Sequence, residues 1–408
     1  MKILIADTFE QSGVDSLTAA GHDLDYQPQL TTAELPSVVG PAEVLVVRST
    51  RVEADTFEAE GALGLVIRAG AGTNTIDGEA AARRAVFVAN VPGKNAVAVA
   101  ELTLGLLLAI DRRIPDNVAD ARAGAWNKKL YSKGGGLLGK TIGVVGLGQI
   151  GLKVAERASA FGMRVVTTAK PRDSQTEEKI RDLGIELVPD LPSLAASSDV
   201  ITVHVPGGES TKRMIDAGLL SHARPGAILI NTSRGDVLDE DAVLSAIEGM
   251  GLRVGIDVFE GEPDEGTGEF ESRLARHPAV YTTHHIGAST TQAQEAIAAE
   301  VVAMIRDYER GIVRNVVNLT PPPPIGSVVV IRHHDRVGVL STVLEILKRE
   351  SLNVQEMQNQ VFAGAGAAVA TIHVEGDIPE TVRDEVAGNP DVINVTVRPA
   401  APQPTTRP

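Results

Sequence analysis

The sequence contains no cysteine, which excludes disulfides, thiolate nucleophiles and cysteine-ligated zinc and fits a reducing compartment. Aromatic residues are 3% of the chain, with a single tryptophan. Stacking platforms for single-stranded nucleic acid are therefore not expected. Positive charge is in short supply too: 38 Lys and Arg face 53 Asp and Glu, a net charge of −15. Such an acidic surface repels phosphate backbones, so no nucleic-acid partner is expected. A small anionic substrate remains open, because local Arg and Lys decide that. Long apolar runs are also missing. The most conspicuous, Leu102 to Ile110, is far below the ~20 residues that span a bilayer. The amino terminus meets Asp7 before a signal-peptide core develops. The expectation is a cytoplasmic protein with no membrane partner.

What is present is an ordinary globular composition, 43% hydrophobic over 408 residues, enough for two or three domains at ~150 residues each. Short apolar runs at Lys2–Ala6, Val44–Val47 and Leu65–Arg68 alternate with Ala-rich helical stretches. The pattern restarts with Thr141–Val145, Arg164–Thr167, Val200–Val203, Ala227–Ile230 and Arg253–Ile256, with a helix capped by Asp239 between the last two. Apolar β-branched runs separated by helices predict α/β architecture, with doubly wound parallel sheets covered on both faces. Pro321–Pro324 marks a linker over residues 319–326, since consecutive prolines favour extended polyproline II. Residues 327–399 then read strand–helix–strand–strand–helix–strand, a ferredoxin-like unit. Residues 400–408 read as a disordered tail.

Gly146-Leu147-Gly148-Gln149-Ile150-Gly151 is a G-x-G-x-x-G that follows a strand and opens a helix over Lys153–Ala160, the context that gives the motif meaning. Gly146 permits the tight turn, Gly148 lets a pyrophosphate approach the backbone, and Gly151 lets helix and strand pack. The helix N-terminus offers N–H groups to phosphates. An acidic residue is expected after the next strand to hold the ribose 2′-hydroxyl. Ala169 stands there instead, followed by Lys170 and Arg172. NADP is therefore admitted beside NAD as cofactor.

Three further motifs fall near strand carboxyl ends: Asn231–Gly235, Asp257–Pro263 and Thr282–Gly287. Hydride chemistry at a carbon bearing a hydroxyl and a carboxylate needs a base for the hydroxyl proton and a cation for the carboxylate. His285 suits the first task and Arg234 the second. Glu262 can orient the imidazole and favour its protonated form. His284 adjoins His285 and is a rival for the base.

On these motifs, with Gly70–Asn74, Asn90–Asn95 and Val99–Leu102, the sequence resembles the D-isomer-specific 2-hydroxyacid dehydrogenases over residues 1–320. The resemblance implies Arg234, Glu262 and His285 as the catalytic set. It favours His285 over His284, where the family has Pro. It implies a substrate-binding domain from residues 1–95 and 282–318, with a dinucleotide-binding Rossmann domain, 96–281, inserted. It implies cofactor contacts at Gly146, Gly148, Gln149, Ile150, Gly151, Ala169, Lys170, Val205, Pro206, Thr232, Ser233, Asp257 and Gly287, and no metal.

The carboxy-terminal unit, with Asp335-Arg336-Val337-Gly338 at its first turn, resembles an ACT domain. This combination resembles the branch of the family that acts on 3-phosphoglycerate in serine biosynthesis. It implies substrate contacts at Arg48, Ser49, Gly72, Thr73 and Asn74, a homodimer or homotetramer, and an allosteric L-serine site at His333, Asp335 and Asn353. Asp335 replaces a usual Asn there, and Val337 a usual Pro. The alternatives are a glyoxylate or hydroxypyruvate reductase and, without catalysis, an NAD-sensing corepressor-like binding protein.

Overall fold

The computed structural model describes residues 1–263, 268–319, 326–364 and 366–399. The expected polyproline segment (320–325) and tail (400–408) lie outside the described residues. The chain divides into two compact units, Met1–Asn318 and Leu319–Pro408.

The first unit contains two parallel sheets. In the first sheet are β1 (Lys2–Ile5), β2 (Asp23–Tyr26), β3 (Val44–Val47), β4 (Leu65–Arg68) and β5 (Phe87–Asn90), in the order β2-β1-β3-β4-β5. Alternate residues of β1 and β3 feed two cores. Ile3, Ile5, Val44 and Val46 join one with Ile297, Val301 and Ile305 of the helix Thr291–Glu309. Leu4, Leu45 and Val47 join the other. A sheet buried on both faces needs apolar residues at successive positions, and β3 supplies four in a row.

The second sheet holds β6 (Thr141–Val145), β7 (Arg164–Thr168), β8 (Glu186–Val188), β9 (Val200–Val203), β10 (Ile228–Asn231), β11 (Arg253–Ile256) and β12 (Val280–Thr282). Its order is β12-β11-β10-β9-β6-β7-β8, again parallel throughout. Six of these strands follow the order of a dinucleotide-binding Rossmann sheet. Asp239 caps the helix Glu240–Met250, accepting a hydrogen bond from the Ala242 N–H at 3.1 Å.

The second unit contains β13 (Gly326–His334), β14 (Val354–Val361), β15 (Ala367–Glu375) and β16 (Val392–Pro399), antiparallel in the order β14-β15-β13-β16. The helices Val339–Arg349 and Glu380–Ala387 bury Val343, Ile346, Val382 and Val386 against Val329, Ile331, Ala370 and Ile372. This is the ferredoxin-like arrangement.

The fold class is as expected, but β2, β5, β8 and β12 extend the sheets beyond the strands read from sequence. Each lies at a sheet edge and is only partly buried, so no continuous apolar run marks it in the sequence. The helix after the glycine loop begins at Gln149 rather than Lys153, because Gly151 sits in its first turn and masks the periodicity. No helix among the described residues is long and apolar enough to cross a membrane.

Candidate active site

Apart from Val99–Leu102, which lie within the helix Ala96–Arg112, the motifs singled out in the first unit fall at or after the carboxyl ends of parallel strands. Asp7 follows β1, Arg48–Thr50 follow β3, Arg68 ends β4 and Gly70–Asn74 come after it. In the second sheet Gly146 follows β6, His204–Pro206 follow β9, Thr232–Arg234 follow β10, Asp257–Glu262 follow β11 and Thr283–Gly287 follow β12. Parallel strands place all such turns on one edge of their sheet, the edge at which open α/β sheets bind ligands.

His285 and Glu262 meet directly. Nδ1 of His285 lies 2.6 Å from Oε2 of Glu262. The other carboxylate oxygen, Oε1, accepts the Phe259 N–H at 2.6 Å. Burial disfavours the charged form of Glu262, but its hydrogen bonds from His285 and Phe259, with the fields of His285 and Arg234, outweigh burial and hold the carboxyl below its ordinary pKa. His285 adopts a left-handed backbone, φ 50°, uncommon for a residue with a Cβ. Asp257 holds it there. The His285 N–H donates to the Asp257 carbonyl at 2.7 Å. The buried Asp257 carboxylate accepts from Thr283 Oγ1, Ile286 N and Gly287 N at 2.5, 2.9 and 2.9 Å. His284 is exposed.

Asn231 shapes the turn that carries Arg234. Its Oδ1 accepts from the Ser233 N–H and Oγ, and its Nδ2 donates to the Arg234 carbonyl. The Arg234 guanidinium donates to the Ser233 carbonyl and passes so close to Gly72 that a Cβ there would overlap it. Gly72 thus brings Arg234 of the second sheet against the loop that follows β4, beside Thr73 and the exposed Asn74.

Arg68 was not singled out from sequence. It ends an apolar strand, where a charge reads as a surface residue. Its Nε is sealed from solvent without a hydrogen-bond partner. Burial, and then the fields of Arg234 and Arg48, push its pKa down to about 10, against an opposing field from Asp7. The Arg68 guanidinium lies against Gly70 and that of Arg234 against Gly72, while Arg48 follows β3, the strand paired with β4. The only available signal for Arg68 was its position at the end of a strand, two residues before the Gly70–Asn74 motif.

The glycine loop has the shape of a dinucleotide cradle. Gly146 has φ 91°, and a Cβ on it would overlap the His204 carbonyl. A Cβ on Gly151 would overlap the Gly146 carbonyl. Gly148 is exposed, with nothing near its Cβ position, and provides no side-chain cap to the helix Gln149–Ala160. The helix N-terminus is thus open to an anion. Gln149 is exposed and its amide lies on Gly93, and Ile150 is partly buried. Val205 packs beside Gly146, and Pro206 is exposed. The buried Thr232 and Thr103 hydroxyls lie 3.0 Å apart. Ala169 and Lys170 are exposed at the end of β7, and Arg172 folds back to donate to the carbonyls of Thr168 and Lys170 at 2.6 and 3.2 Å.

In the second unit His333 is buried, with Nδ1 2.8 Å from the His334 carbonyl and Nε2 3.1 Å from Asn359 Oδ1. Asp335 and Asn353 are exposed. The hydrogen bonds thus join His333 to Asn359, a residue not singled out from sequence, rather than to Asn353. No cluster of His, Asp and Glu able to hold a metal occurs among the described residues.

Comparisons with known proteins agree with this geometry. Residues 104–287 match the model of the D-isomer specific 2-hydroxyacid dehydrogenase NAD-binding domain. A D-3-phosphoglycerate dehydrogenase of Methanocaldococcus jannaschii is 37% identical over 326 residues, 79% of this chain and 60% of the relative. The chain thus spans less than two thirds of that relative's length. The D-3-phosphoglycerate dehydrogenase of Escherichia coli is 32% identical over 401 residues, 96% of each chain. A hydroxypyruvate reductase of Thermotoga maritima is 41% identical over 276 residues, 67% of this chain and 86% of the relative.

Proposed function

The chain belongs to the D-isomer specific 2-hydroxyacid dehydrogenase family, and within it we propose that the protein reversibly oxidises 3-phosphoglycerate at C2 to 3-phosphohydroxypyruvate, the first step towards L-serine. The observation that carries this reading is that the Arg68 and Arg234 guanidinium groups lie against Gly70 and Gly72 of one loop, with Arg48 at the end of the neighbouring strand β3 and Glu262 paired with His285. A simple 2-hydroxy acid presents one carboxylate, for which one arginine suffices. Further guanidinium groups suit a substrate that also carries a phosphate.

The Gly146–Gly151 loop would hold a nicotinamide dinucleotide, which would supply the hydride acceptor for C2 and the donor for the reverse reaction. The chain's own groups do the rest. Glu262 fixes the His285 ring through Nδ1, which leaves Nε2 to take the C2 hydroxyl proton. Arg234 binds the substrate carboxylate and steadies the negative charge that develops on the C2 oxygen. The loop Gly72–Asn74 borders the carboxylate, and Arg48 with Ser49 holds the phosphate.

Cofactor choice follows from the end of β7. With Ala169 in place of a carboxylate, nothing there repels a 2′-phosphate, and Lys170 and Arg172 supply positive charge. The protein is expected to use NADP within about tenfold of NAD in kcat/KM. In the second unit the same reading assigns L-serine to Asp335, Asn353 and His333, and millimolar serine then lowers initial rates. The reading also includes self-association through the segment that follows the helix Ala96–Arg112.

A turnover screen of 2-hydroxy and 2-oxo acids with both cofactors tests the reading. The second reading, a hydroxypyruvate reductase, is favoured by the Thermotoga relative. Arg48→Ala separates the two. Phosphate binding predicts a KM for 3-phosphoglycerate raised by about tenfold or more. An unchanged KM rejects it.

A further inference from the structure

At the end of β3 three consecutive backbone N–H groups converge on one oxygen. Those of Arg48, Ser49 and Thr50 donate to Asp7 Oδ2 at 2.6, 3.0 and 3.0 Å. The Thr50 hydroxyl adds a bond to the Ala6 carbonyl at 3.3 Å. Successive N–H groups curled around one point form an anion-binding concavity. Here the anion belongs to the chain itself.

The place matters as much as the geometry. β1 and β3 are the neighbours at which the strand order of the first sheet reverses, and such a reversal opens the crevice in which α/β sheets hold ligands. Asp7 comes off β1 and the Arg48–Thr50 turn comes off β3. The Asp7 carboxylate thus fills backbone donors that would otherwise face an incoming anion. It is also the negative charge whose field opposes those of Arg234 and Arg48 on Arg68.

We propose that Asp7 is a positioning residue, whose carboxylate folds the Arg48–Thr50 turn so that the Arg48 and Ser49 side chains, and not the backbone of the turn, meet the substrate's phosphate. The proposal rests on the assignment of Arg48 to that phosphate. It makes Asp7 a determinant of specificity for phosphorylated over unphosphorylated 2-hydroxy acids without contact to the substrate. It also predicts that the concavity, once Asp7 is removed, accepts a small free carboxylate in its place.

The test compares the full chain with Asp7→Ala, Asp7→Asn and Arg48→Ala on 3-phosphoglycerate and D-glycerate, with and without formate at a level that leaves the unmodified protein unaffected. Asp7→Ala should lower the preference for 3-phosphoglycerate over D-glycerate in kcat/KM by about tenfold, mainly through KM. Formate should restore most of that preference. An equal loss on both substrates, a loss confined to kcat, or no recovery with formate overturns the proposal and leaves Asp7 a purely structural residue. If Asp7→Ala does not fold, Asp7→Asn keeps the shape and an acceptor but not the charge. It should show the same loss of preference in smaller degree, still weighted to KM, because a neutral amide oxygen is a weaker acceptor for three N–H groups, and no loss at all is equally fatal. Arg48→Ala distinguishes the two levels of failure. An unchanged KM for 3-phosphoglycerate there rejects the phosphate assignment and this proposal together. A raised KM with Arg48→Ala beside an unaltered preference with Asp7→Ala rejects the role of Asp7 alone.

Discussion

At the scale of single residues the site depends on which polar groups are paired. The His285–Glu262 bond occupies Nδ1 of the imidazole, and Nε2 is the atom proposed to take the substrate proton. His285→Ala should reduce kcat by about 10²–10⁴ while cofactor affinity, followed by NADH fluorescence, stays the same. His204 behaves differently. It is buried beside the cofactor loop, with Nε2 2.8 Å from Thr202 Oγ1 and Nδ1 without a partner. Burial pushes its pKa down to about 3 from 6.5. The unfolded chain takes up a proton near pH 6.5 that the folded chain refuses until about pH 3. Its neutral form therefore supports folding fully above pH 6.5, and that support is lost as the pH falls towards 3. His204→Asn should flatten the decline of stability between pH 6 and 4 by about one proton, seen in urea unfolding at several pH values. The motif residues were legible because glycine, arginine, glutamate and histidine in that order carry chemistry. Arg68 and Asp7 were not, because a charge beside a strand looks the same whether it faces solvent or a crevice.

At the scale of elements, local sequence signals fare well where the rule is local. Asp239 precedes a helix and caps it in the structure. Asp239→Ala leaves the Ala242 N–H without that acceptor and should destabilise the first unit by about 1 kcal/mol in urea unfolding, with little effect on kcat. Central strands such as β3 and β9 stood out because both faces are buried along their whole length. Edge strands did not. β8 reads Glu-Leu-Val and is mostly exposed, so its pairing with β7 supplies the order that its composition does not. The ring of His333 shows the same limit. It reaches Asn359 across β15, whose Ala368 and Ala370 are fully buried and small enough to leave room. Nothing in the local sequence announces that pairing.

At the scale of the molecule, each unit carries hydrophobic clusters of its own. One segment of the first unit is anomalous. The helices Ile114–Arg122 and Lys128–Tyr131 bury no residue, and Trp126 and Leu138 are 88% and 84% exposed. Between Arg112 and Lys140 seven Lys or Arg face two Asp, in a chain of net charge −15. An apolar, basic arm on an acidic protein is complementary to a second copy of the same chain. Val118→Asp with Trp126→Glu should therefore yield monomers in sedimentation, while the unmodified chain sediments as an oligomer. A monomeric unmodified chain would contradict this.

The sequence by itself determined the class of fold, the glycine loop and the residue types proposed for the chemistry, since hydrophobic periodicity, turn residues and acid–base character act over a few positions. Only the tertiary structure decided the order of the strands, and with it which turns share an edge. That order brings Asp7 to the Arg48–Thr50 turn, Gly72 to Arg234 and Asp257 to the His285 loop. Each of these contacts joins residues far apart in the chain, and strand order depends on how whole faces pack rather than on any short stretch of residues.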